Sequence, residues 1–325
     1  MWLPVSEVIM AKLFIDGEAG TTGLGIRERV LPIAGIELIS LSDADRKNEA
    51  ARLDAMRAAD LVVLCLPDDA ARQATAMVAL LGDKAPKLLD ASTAHRVAAG
   101  WVYGFPELTP AQPSAIAEAK KVSNPGCYAT GAIALLRPLI DAGMLEAASD
   151  VTINAVSGYS GGGKAMIAAH DNDGGPAFEL YGLSLAHKHV PEIMIYGGLT
   201  RRPIFVPSVG HFRQGMLVSV PLFLDRLLGK PSAHEIAEAF YERYHASLRV
   251  RPPNGITAQN IEPQALNDTD LLDIFVCANS AHDHAVLIAR LDNLGKGASG
   301  AAVQNICLML GLSDPLAPTK ELHHA

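Results

Sequence analysis

The chain has 325 residues, of which 49% are hydrophobic and 19% charged, and its formal net charge is −8. This composition excludes a disordered chain, and the length allows about two domains. An acidic balance without basic runs disfavours nucleic acid and anionic membranes as partners, and four cysteines are too few for a disulfide framework. Apolar runs such as Leu61–Leu66 are too short to span a membrane, and the first residues lack the basic start of a signal peptide. We therefore expect a cytoplasmic protein.

Strand and helix signals alternate in the first part of the chain. Short apolar runs predict strands at Lys12–Ile15, Ile36–Leu41, Leu61–Leu66 and Lys87–Leu89. The segments between them predict helices at Leu24–Ile33, Asp45–Ala58 and Asp68–Leu81. Because continuously apolar strands are typical of a parallel sheet covered on both faces, this alternation indicates a doubly wound, Rossmann-type α/β domain. Three prolines predict that Gly104–Ser114 is a loop.

The pattern changes after this loop, where strands outnumber helices. Strands are predicted at Val151–Val156, Ile204–Val206, Met216–Pro221, Leu271–Ala278 and Ala285–Leu291. Helices are predicted at Cys127–Ile140, Ser232–Tyr244 and Ser299–Gly311. The pattern indicates an α+β second domain on an antiparallel or mixed sheet, and the last helix can pack on either domain.

A glycine-rich turn follows the first predicted strand and leads into a helix. Its glycines are Gly17, Gly20 and Gly23, with Thr21 and Thr22 between the last two. A nucleotide diphosphate needs backbone N–H groups at a helix N-terminus and close backbone approach, which this placement supplies. The alternative is a tight structural turn.

The end of the second strand bears on the choice of dinucleotide. Ser40, Ser42, Arg46 and Lys47 provide hydroxyls and cations that suit a ribose 2′-phosphate and therefore favour NADP. Arg46 and Lys47 are alternatively a solvated helix face. Two aspartates in the same stretch favour NAD instead, Asp43 and Asp45.

Cys127 differs from the other cysteines, which lie in apolar strands or helices and are expected to be inert. It follows a Pro-Gly turn and opens a helix. A helix N-terminus favours the thiolate and can receive an oxyanion when that thiolate attacks a carbonyl. We therefore predict a low-pKa nucleophile for acyl chemistry.

Two histidines precede a predicted helix that starts near Pro191. His187 and His189 are two positions apart and share a face of an extended segment, so either can exchange protons with a group bound at Cys127. The alternatives are a zinc site completed by Glu192 or His211, and a purely structural role.

Further side chains are candidates for binding an anion. The polar loop Ser157–Lys164 offers backbone N–H groups, hydroxyls and one cation. Arg96 and Arg213 are additional cations, and each is alternatively an ordinary surface residue. This loop is expected to be flexible, and the alternative is a long loop without function.

Seven motifs occur in a fixed order: GEAGTTG, DASTAHR, SNPGCYAT, SGYSGGGK, HKHVPEI, GHFRQGM and DNLGKGASGAAVQN. With them, the chain resembles the N-acetyl-gamma-glutamyl-phosphate reductase family, in its shorter subclass, from about Lys12 to Leu312. The resemblance implies a dinucleotide domain of residues 1–125 and 299–325, to which the C-terminal helix returns, and a catalytic domain of residues 126–298.

The resemblance also implies roles for individual residues. Cys127 matches the nucleophile, His189 the acid/base and Glu192 its supporting residue, and Asn293 falls where the C-terminal segment approaches the nicotinamide. The predicted cofactor-binding residues are Gly17, Gly20, Thr21, Thr22, Gly23, Ser40, Ser42, Arg46, Pro67, Ser92 and Asn293. The predicted substrate-binding residues are Arg96, Asn124, Ser157, Gly158, Lys164, His187 and Arg213. No metal is expected.

The implied reaction is the NADPH-dependent reduction of N-acetyl-L-glutamyl 5-phosphate to the 5-semialdehyde and phosphate, through a cysteine thioester, in arginine biosynthesis. A related reductase of aspartyl or N-acetyl-aminoadipyl phosphate is an alternative, and a nonenzymatic NADP-binding sensor is another. The expected partners are a small-molecule substrate and further copies of the chain, in a dimer or a tetramer.

Overall fold

A computed structural model of the protein describes residues 10–316. The first of its two sheets contains β1 (Ala11–Asp16), β2 (Ile36–Ile39), β3 (Leu61–Leu64), β4 (Lys87–Asp90), β5 (Val102–Tyr103) and β6 (Lys121–Ser123). The spatial order is β2-β1-β3-β4-β6-β5, and all neighbouring strands are parallel. The expectations for the first nine residues and for residues 317–325 of the dinucleotide domain lie outside the described residues.

The helices in the described part of the chain are α1 (Thr21–Val30), α2 (Glu49–Ala58), α3 (Asp68–Ala79), α4 (Gln112–Glu118), α5 (Cys127–Asp141), α6 (Gly163–Asp173), α7 (Val190–Gly197), α8 (Ala233–Tyr244) and α9 (Gly300–Leu310). Helices α2 and α3 cover one face of the first sheet, and α1, α4 and α9 cover the other.

Strand β3 shows why the first sheet is buried on both faces. Leu61 and Val63 pack towards α1 and α9, whereas Val62 and Leu64 pack towards α2 and α3. All four side chains are fully buried because successive residues of a strand point to opposite faces. The predicted parallel sheet with helices on both faces is confirmed.

The chain order reverses between β1 and β3, since β2 lies beyond β1 and β4 lies beyond β3. Loops that leave the carboxyl ends of such strands diverge to opposite faces and leave a crevice where ligands bind in this architecture. Gly17 follows β1 and Cys65 follows β3 at this crevice.

The second sheet is mixed, as predicted. Its strands are β7 (Thr152–Gly158), β8 (Phe178–Leu180), β9 (Ile204–Gly210), β10 (Met216–Phe223), β11 (Val250–Arg251), β12 (Leu272–Asn279) and β13 (His284–Leu291). They lie in the order β11-β12-β13-β10-β7-β9-β8. Helix α5 packs closely against this sheet, because Gly131 has no Cβ, which would lie 2.8 Å from Val218 Cγ2.

Three sequence predictions need correction. Gly104–Ser114 is not a loop throughout, because α4 begins inside it with Pro113 in the first turn, where the missing N–H costs nothing. The polar segment Ser157–Lys164 is not a flexible loop, because it starts in β7, continues as a 3-10 turn at Tyr159–Gly162 and ends in α6. Helix α2 begins later than predicted because the Asn48 side chain caps it by accepting two backbone N–H groups.

A buried ionic network holds the segment between the second sheet and α9. This segment, a π-helical turn at Gly295–Ser299, contains Lys296, whose side chain is fully buried. The Lys296 ammonium lies 2.8 Å from a Glu107 carboxylate oxygen and 2.6 Å from the Gln304 amide oxygen. Burial raises the pKa of Glu107, but Lys296 and Gln304 outweigh this and hold it below its ordinary value. Glu107 is therefore ionised and paired.

We expect the Lys296→Met substitution to lower the free energy of unfolding by about 3–5 kcal/mol, because it leaves a buried carboxylate unpaired. Urea denaturation followed by circular dichroism measures the loss. Lys84→Met, at an exposed position, is the matched control and should change stability little. Equal stability of the two variants would show that the network contributes nothing.

Candidate functional site

The glycine-rich turn brings α1 close to the end of β1. Gly17 has a φ of +90°, and a Cβ there would overlap the carbonyl oxygen of Cys65. A Cβ at Gly23 would lie 2.5 Å from the carbonyl oxygen of Gly17. Both positions therefore require glycine if the helix is to begin this close to the strand.

The N-terminus of α1 has no side-chain cap, since its N-cap residue is Gly20. The first-turn N–H groups of an α-helix have no partner within the helix, and here these include the groups of Thr21 and Thr22. The positive end of the helix dipole thus faces the crevice with its donors available to an anion.

A cavity of about 680 Å³, here called the strand-end cavity, opens beside the glycine turn. Its polar lining includes Ser40, Asp43, Arg46, Lys47 and Arg52. Arg46 is half-exposed and lies 3.3 Å from the Asp43 carboxylate, so it can turn towards a ligand at little cost. Arg52 is instead fixed by a 2.7 Å ion pair with buried Asp16.

Of the predicted cofactor residues, Gly17, Ser40 and Arg46 line this cavity, and Ser42, Pro67 and Ser92 are among those that do not. The Ser42 hydroxyl donates to the Asp45 carboxylate at 2.7 Å and lies at the exposed start of the following turn. Pro67 is the N-cap residue of α3. The buried Ser92 hydroxyl donates to Asp90 at 2.8 Å.

Cys127 is the first residue of α5 and faces a second cavity of about 370 Å³, here called the Cys127 cavity. The residue before it, Gly126, is closely surrounded. A Cβ at Gly126 would overlap Arg96 and His189 and would lie 2.7 Å from a Glu192 oxygen. The three side chains named in the sequence analysis thus converge beside the predicted nucleophile.

Glu192 is the centre of this cluster and is only 1% exposed. Its carboxylate accepts hydrogen bonds from the Arg96 guanidinium at 2.7 Å, the Tyr103 hydroxyl at 2.7 Å and the Gly126 N–H at 3.1 Å. Glu192 Oε1 also lies 4.0 Å from His189 Nε2. The carboxylate thereby fixes the backbone at the start of α5.

The low pKa predicted for Cys127 does not hold in this structure. Burial raises the pKa of the thiol above its ordinary value, and the carboxylate of Glu192 adds to the increase. The Arg96 guanidinium, the Tyr128 N–H and Lys188 act in the opposite direction and reduce the increase. A helix N-terminus alone therefore does not ionise this thiol, and its reaction requires a proton acceptor.

His189 lines the same cavity as Cys127. It lies at the N-cap of α7, and Pro191 occupies the first turn of that helix, as predicted. Burial lowers the pKa of His189 well below its ordinary value, and Arg96 lowers it further, so the imidazole is neutral near pH 7. Its Nδ1 atom is buried and has no hydrogen-bond partner among the described residues.

His187 lies beside His189, with the two ring centroids 4.7 Å apart. Its Nδ1 accepts the His189 backbone N–H at 3.1 Å, which orients the segment. Burial lowers the pKa of His187 to about 4.

Most of the predicted substrate residues line the Cys127 cavity, namely Arg96, Asn124, Ser157, Gly158 and His187. Asn293, a predicted cofactor residue, lines it as well. The Asn124 amide group is already engaged, because it donates to the Ala298 carbonyl at 3.0 Å and accepts from Asn305 at 3.1 Å. Asn293 spans two loops by accepting from the Gly215 N–H and donating to the Ser160 hydroxyl.

Two other predicted substrate residues do not line the Cys127 cavity. Lys164 points to the glycine turn, where its ammonium donates to the Ala19 carbonyl at 2.9 Å. Arg213 is exposed and its side chain lies 3.7 Å from the Asp171 carboxylate, while its backbone packs against Gly158.

Sequence reasoning missed three residues of the site. Lys188 lines the Cys127 cavity, and its signal was its position between the two histidines. Gly297 lets the π-helical turn pack closely against the start of α5, since a Cβ there would lie 2.9 Å from Cys127 Cβ. Tyr103 has no local signal, because it meets Glu192 only in the folded chain.

Within residues 10–316, no group of three or more His, Cys, Asp and Glu side chains is arranged to hold a metal ion. In the same range, no helix has the length and apolar character needed to cross a membrane.

Solved structures that are similar in fold include aspartate semialdehyde dehydrogenases. That of aspartate semialdehyde dehydrogenase II from Vibrio cholerae has a TM-score of 0.70 at 15% identity, covering 93% of this chain and 98% of that one. That from Francisella tularensis has a TM-score of 0.71 at 13% identity, covering 93% and 100%. That from Candida albicans, solved with NADP, has a TM-score of 0.63 at 12% identity, covering 93% and 98%. These matches establish the fold.

Sequence comparisons establish the family. Residues 127–293 match the family model described as semialdehyde dehydrogenase, dimerisation domain. Relatives from Brucella suis and Brucella ovis, both named N-acetyl-gamma-glutamyl-phosphate reductase, are 50% identical over 308 residues, covering 92% of this chain and 99% of each relative. The chain therefore belongs to the N-acetyl-gamma-glutamyl-phosphate reductase family.

Proposed function

We propose that the protein catalyses the NADPH-dependent reduction of N-acetyl-L-glutamyl 5-phosphate to N-acetyl-L-glutamate 5-semialdehyde and phosphate, a step of arginine biosynthesis. One observation carries the proposal. Cys127 and neutral His189 face one cavity, and Thr21 and Thr22 of the glycine turn line the same cavity. A nucleophile, a proton acceptor and a dinucleotide-binding turn thus meet at one place.

The residues present fit NADP. The strand-end cavity suits the adenosine part, where Ser40, Arg46 and Lys47 can contact a ribose 2′-phosphate. The uncapped N-terminus of α1 suits the diphosphate, and Asn293 in the Cys127 cavity is placed beside the reacting end. NADPH, when bound, supplies the hydride that reduces the acyl group.

The first chemical step forms a thioester. His189 takes the Cys127 thiol proton, and the thiolate attacks the γ-carbonyl carbon of the acyl phosphate. The C–O bond to the phosphoryl group breaks, and phosphate leaves with the electron pair. Lys188, which lines the cavity, supplies a positive charge that can stabilise the leaving phosphate.

The second step releases the aldehyde. After reduction, His189 gives its proton to the oxygen of the thiohemiacetal attached to Cys127. His189 then takes the proton back as the C–S bond breaks, and the thiolate is regenerated. Glu192 is a positioning residue. Its carboxylate accepts hydrogen bonds from Arg96 and the Gly126 N–H and does not contact the reacting atoms.

We further propose that residues 1–125 and 299–325 form the NADP-binding domain and residues 126–298 the catalytic domain, and that the enzyme is a cytoplasmic homodimer or homotetramer. The family model for residues 127–293, described as a dimerisation domain, supports association of copies. The exposed apolar side chains Phe178 and Leu180 of edge strand β8 also support it.

Assayed in reverse, the enzyme should oxidise N-acetylglutamate semialdehyde with NADP⁺ only when phosphate or arsenate is present. A positioned oxyanion resolves a thioester far faster than water does, so omitting phosphate should slow NADPH formation by about 100-fold or more. Absorbance of NADPH measures the rate. The Cys127→Ser variant should be inactive yet still bind NADPH.

Full-rate oxidation without any oxyanion would instead identify a hydrolytic aldehyde dehydrogenase. A faster reaction with aspartate semialdehyde would indicate the related reductase, and NADP binding without any turnover would indicate a sensor.

Alkylation of Cys127 by iodoacetamide should be slow at neutral pH and should rise with pH to a midpoint above 9.0, the ordinary value of a thiol, because burial raises its pKa. Mass spectrometry of the Cys127 peptide measures the rate at each pH, and Cys127→Ser identifies that peptide. A plateau already reached at pH 7 would show a thiolate in the free enzyme.

Arg46→Ala should raise the KM for NADPH about tenfold and leave the KM for NADH nearly unchanged, because Arg46 would contact only the 2′-phosphate. Initial rates with each cofactor test this. If the wild-type enzyme uses NADH as well as NADPH, Asp43 becomes the ligand of the ribose.

A further inference from the structure

Lys164 links the segment after β7 of the second sheet to the glycine turn of the first sheet. It lies in the first turn of α6, after β7 of the second sheet, and its ammonium donates to the carbonyl of Ala19 at 2.9 Å. Ala19 belongs to the glycine turn that follows β1 of the first sheet. A lysine ammonium has three donors, and this contact uses one of them.

The surroundings of this contact favour an anion. The Lys164 ammonium lies beside the N-terminus of α1, which carries the positive end of the helix dipole and has no side-chain cap. Cations at this end of a helix are repelled, whereas an anion between the ammonium and the N–H groups is attracted by both.

The position of Lys164 also points to a particular anion. A cavity of about 300 Å³ is lined by Gly20, Thr21, Thr22, Cys65, Leu66, Ala91, Gly163 and Lys164. It shares Leu66 with the strand-end cavity, and it shares Thr21, Thr22, Ala91 and Gly163 with the Cys127 cavity. A dinucleotide with its adenosine in the strand-end cavity and its reacting ring in the Cys127 cavity would have its diphosphate beside this third cavity.

We infer that Lys164 is a ligand of the cofactor diphosphate, supplied by the catalytic side of the crevice, and not a ligand of the substrate. The inference rests on the proposed NADP-dependent function. Lys164 does not line the Cys127 cavity, whereas Lys188 and Arg96 do. The segment before Lys164, Ser160–Gly163, lines the Cys127 cavity, so a bound diphosphate also fixes one wall of the substrate site.

Equilibrium binding to the full-length protein tests this assignment. Isothermal titration calorimetry measures the Kd of NADPH and of adenosine 2′-monophosphate, which lacks the diphosphate, for the wild type, Lys164→Gln, Lys164→Arg and the exposed-site control Lys84→Gln. We expect Lys164→Gln to raise the Kd of NADPH about tenfold through loss of one charge-assisted contact. The Kd of adenosine 2′-monophosphate should not change, and Lys164→Arg and Lys84→Gln should resemble the wild type.

An unchanged Kd of NADPH in Lys164→Gln, with a raised KM for the acyl phosphate, would overturn the inference and leave the proposed function intact. Weaker binding of both ligands would also overturn it, since the variant would then have disturbed the glycine turn rather than one contact. If the wild type itself does not bind NADPH, the proposed function fails and the inference fails with it.

Discussion

The site depends on the burial of one carboxylate. Glu192 is almost inaccessible to water, and an ionised carboxylate in such a place is stable only when its oxygens are fully paired. The partners are Arg96 and Tyr103 from the segments around the first sheet, and the Gly126 N–H at the start of α5. Satisfying Glu192 therefore fixes where α5 begins, and with it the position of Cys127.

The same burial sets the protonation states of the reacting pair. It raises the pKa of the Cys127 thiol and lowers the pKa of His189, so both groups are neutral before substrate binds. Both shifts favour the neutral forms, so in the proposed mechanism the proton leaves the sulfur for the imidazole only as the sulfur attacks the carbonyl carbon. The dry environment thus replaces permanent ionisation of the thiol with a proton transfer that accompanies attack.

The sequence predicts the features that depend on neighbouring residues. The apolar run at β3, the glycine turn and the helix that starts at Cys127 all follow from local patterns. Strands such as β5 and β11 have two residues each and carry too little pattern to detect. The raised pKa of Cys127 and the contact of Lys164 with Ala19 depend on groups distant in sequence, so neither helix-end chemistry nor a loop motif could predict them.

Contacts of cationic side chains join the part of the molecule around the first sheet to the part around the second, and three of them differ in how readily they can change. Lys296 with Glu107 and Arg96 with Glu192 are buried pairs, and breaking either one strands a charge away from water. Lys164 with Ala19 is exposed and joins a charge to a neutral carbonyl, so its loss costs much less. A diphosphate can therefore draw Lys164 from Ala19 while the two buried pairs keep Cys127 in place. The crevice thus combines a fixed nucleophile with one adjustable contact at the path of the cofactor.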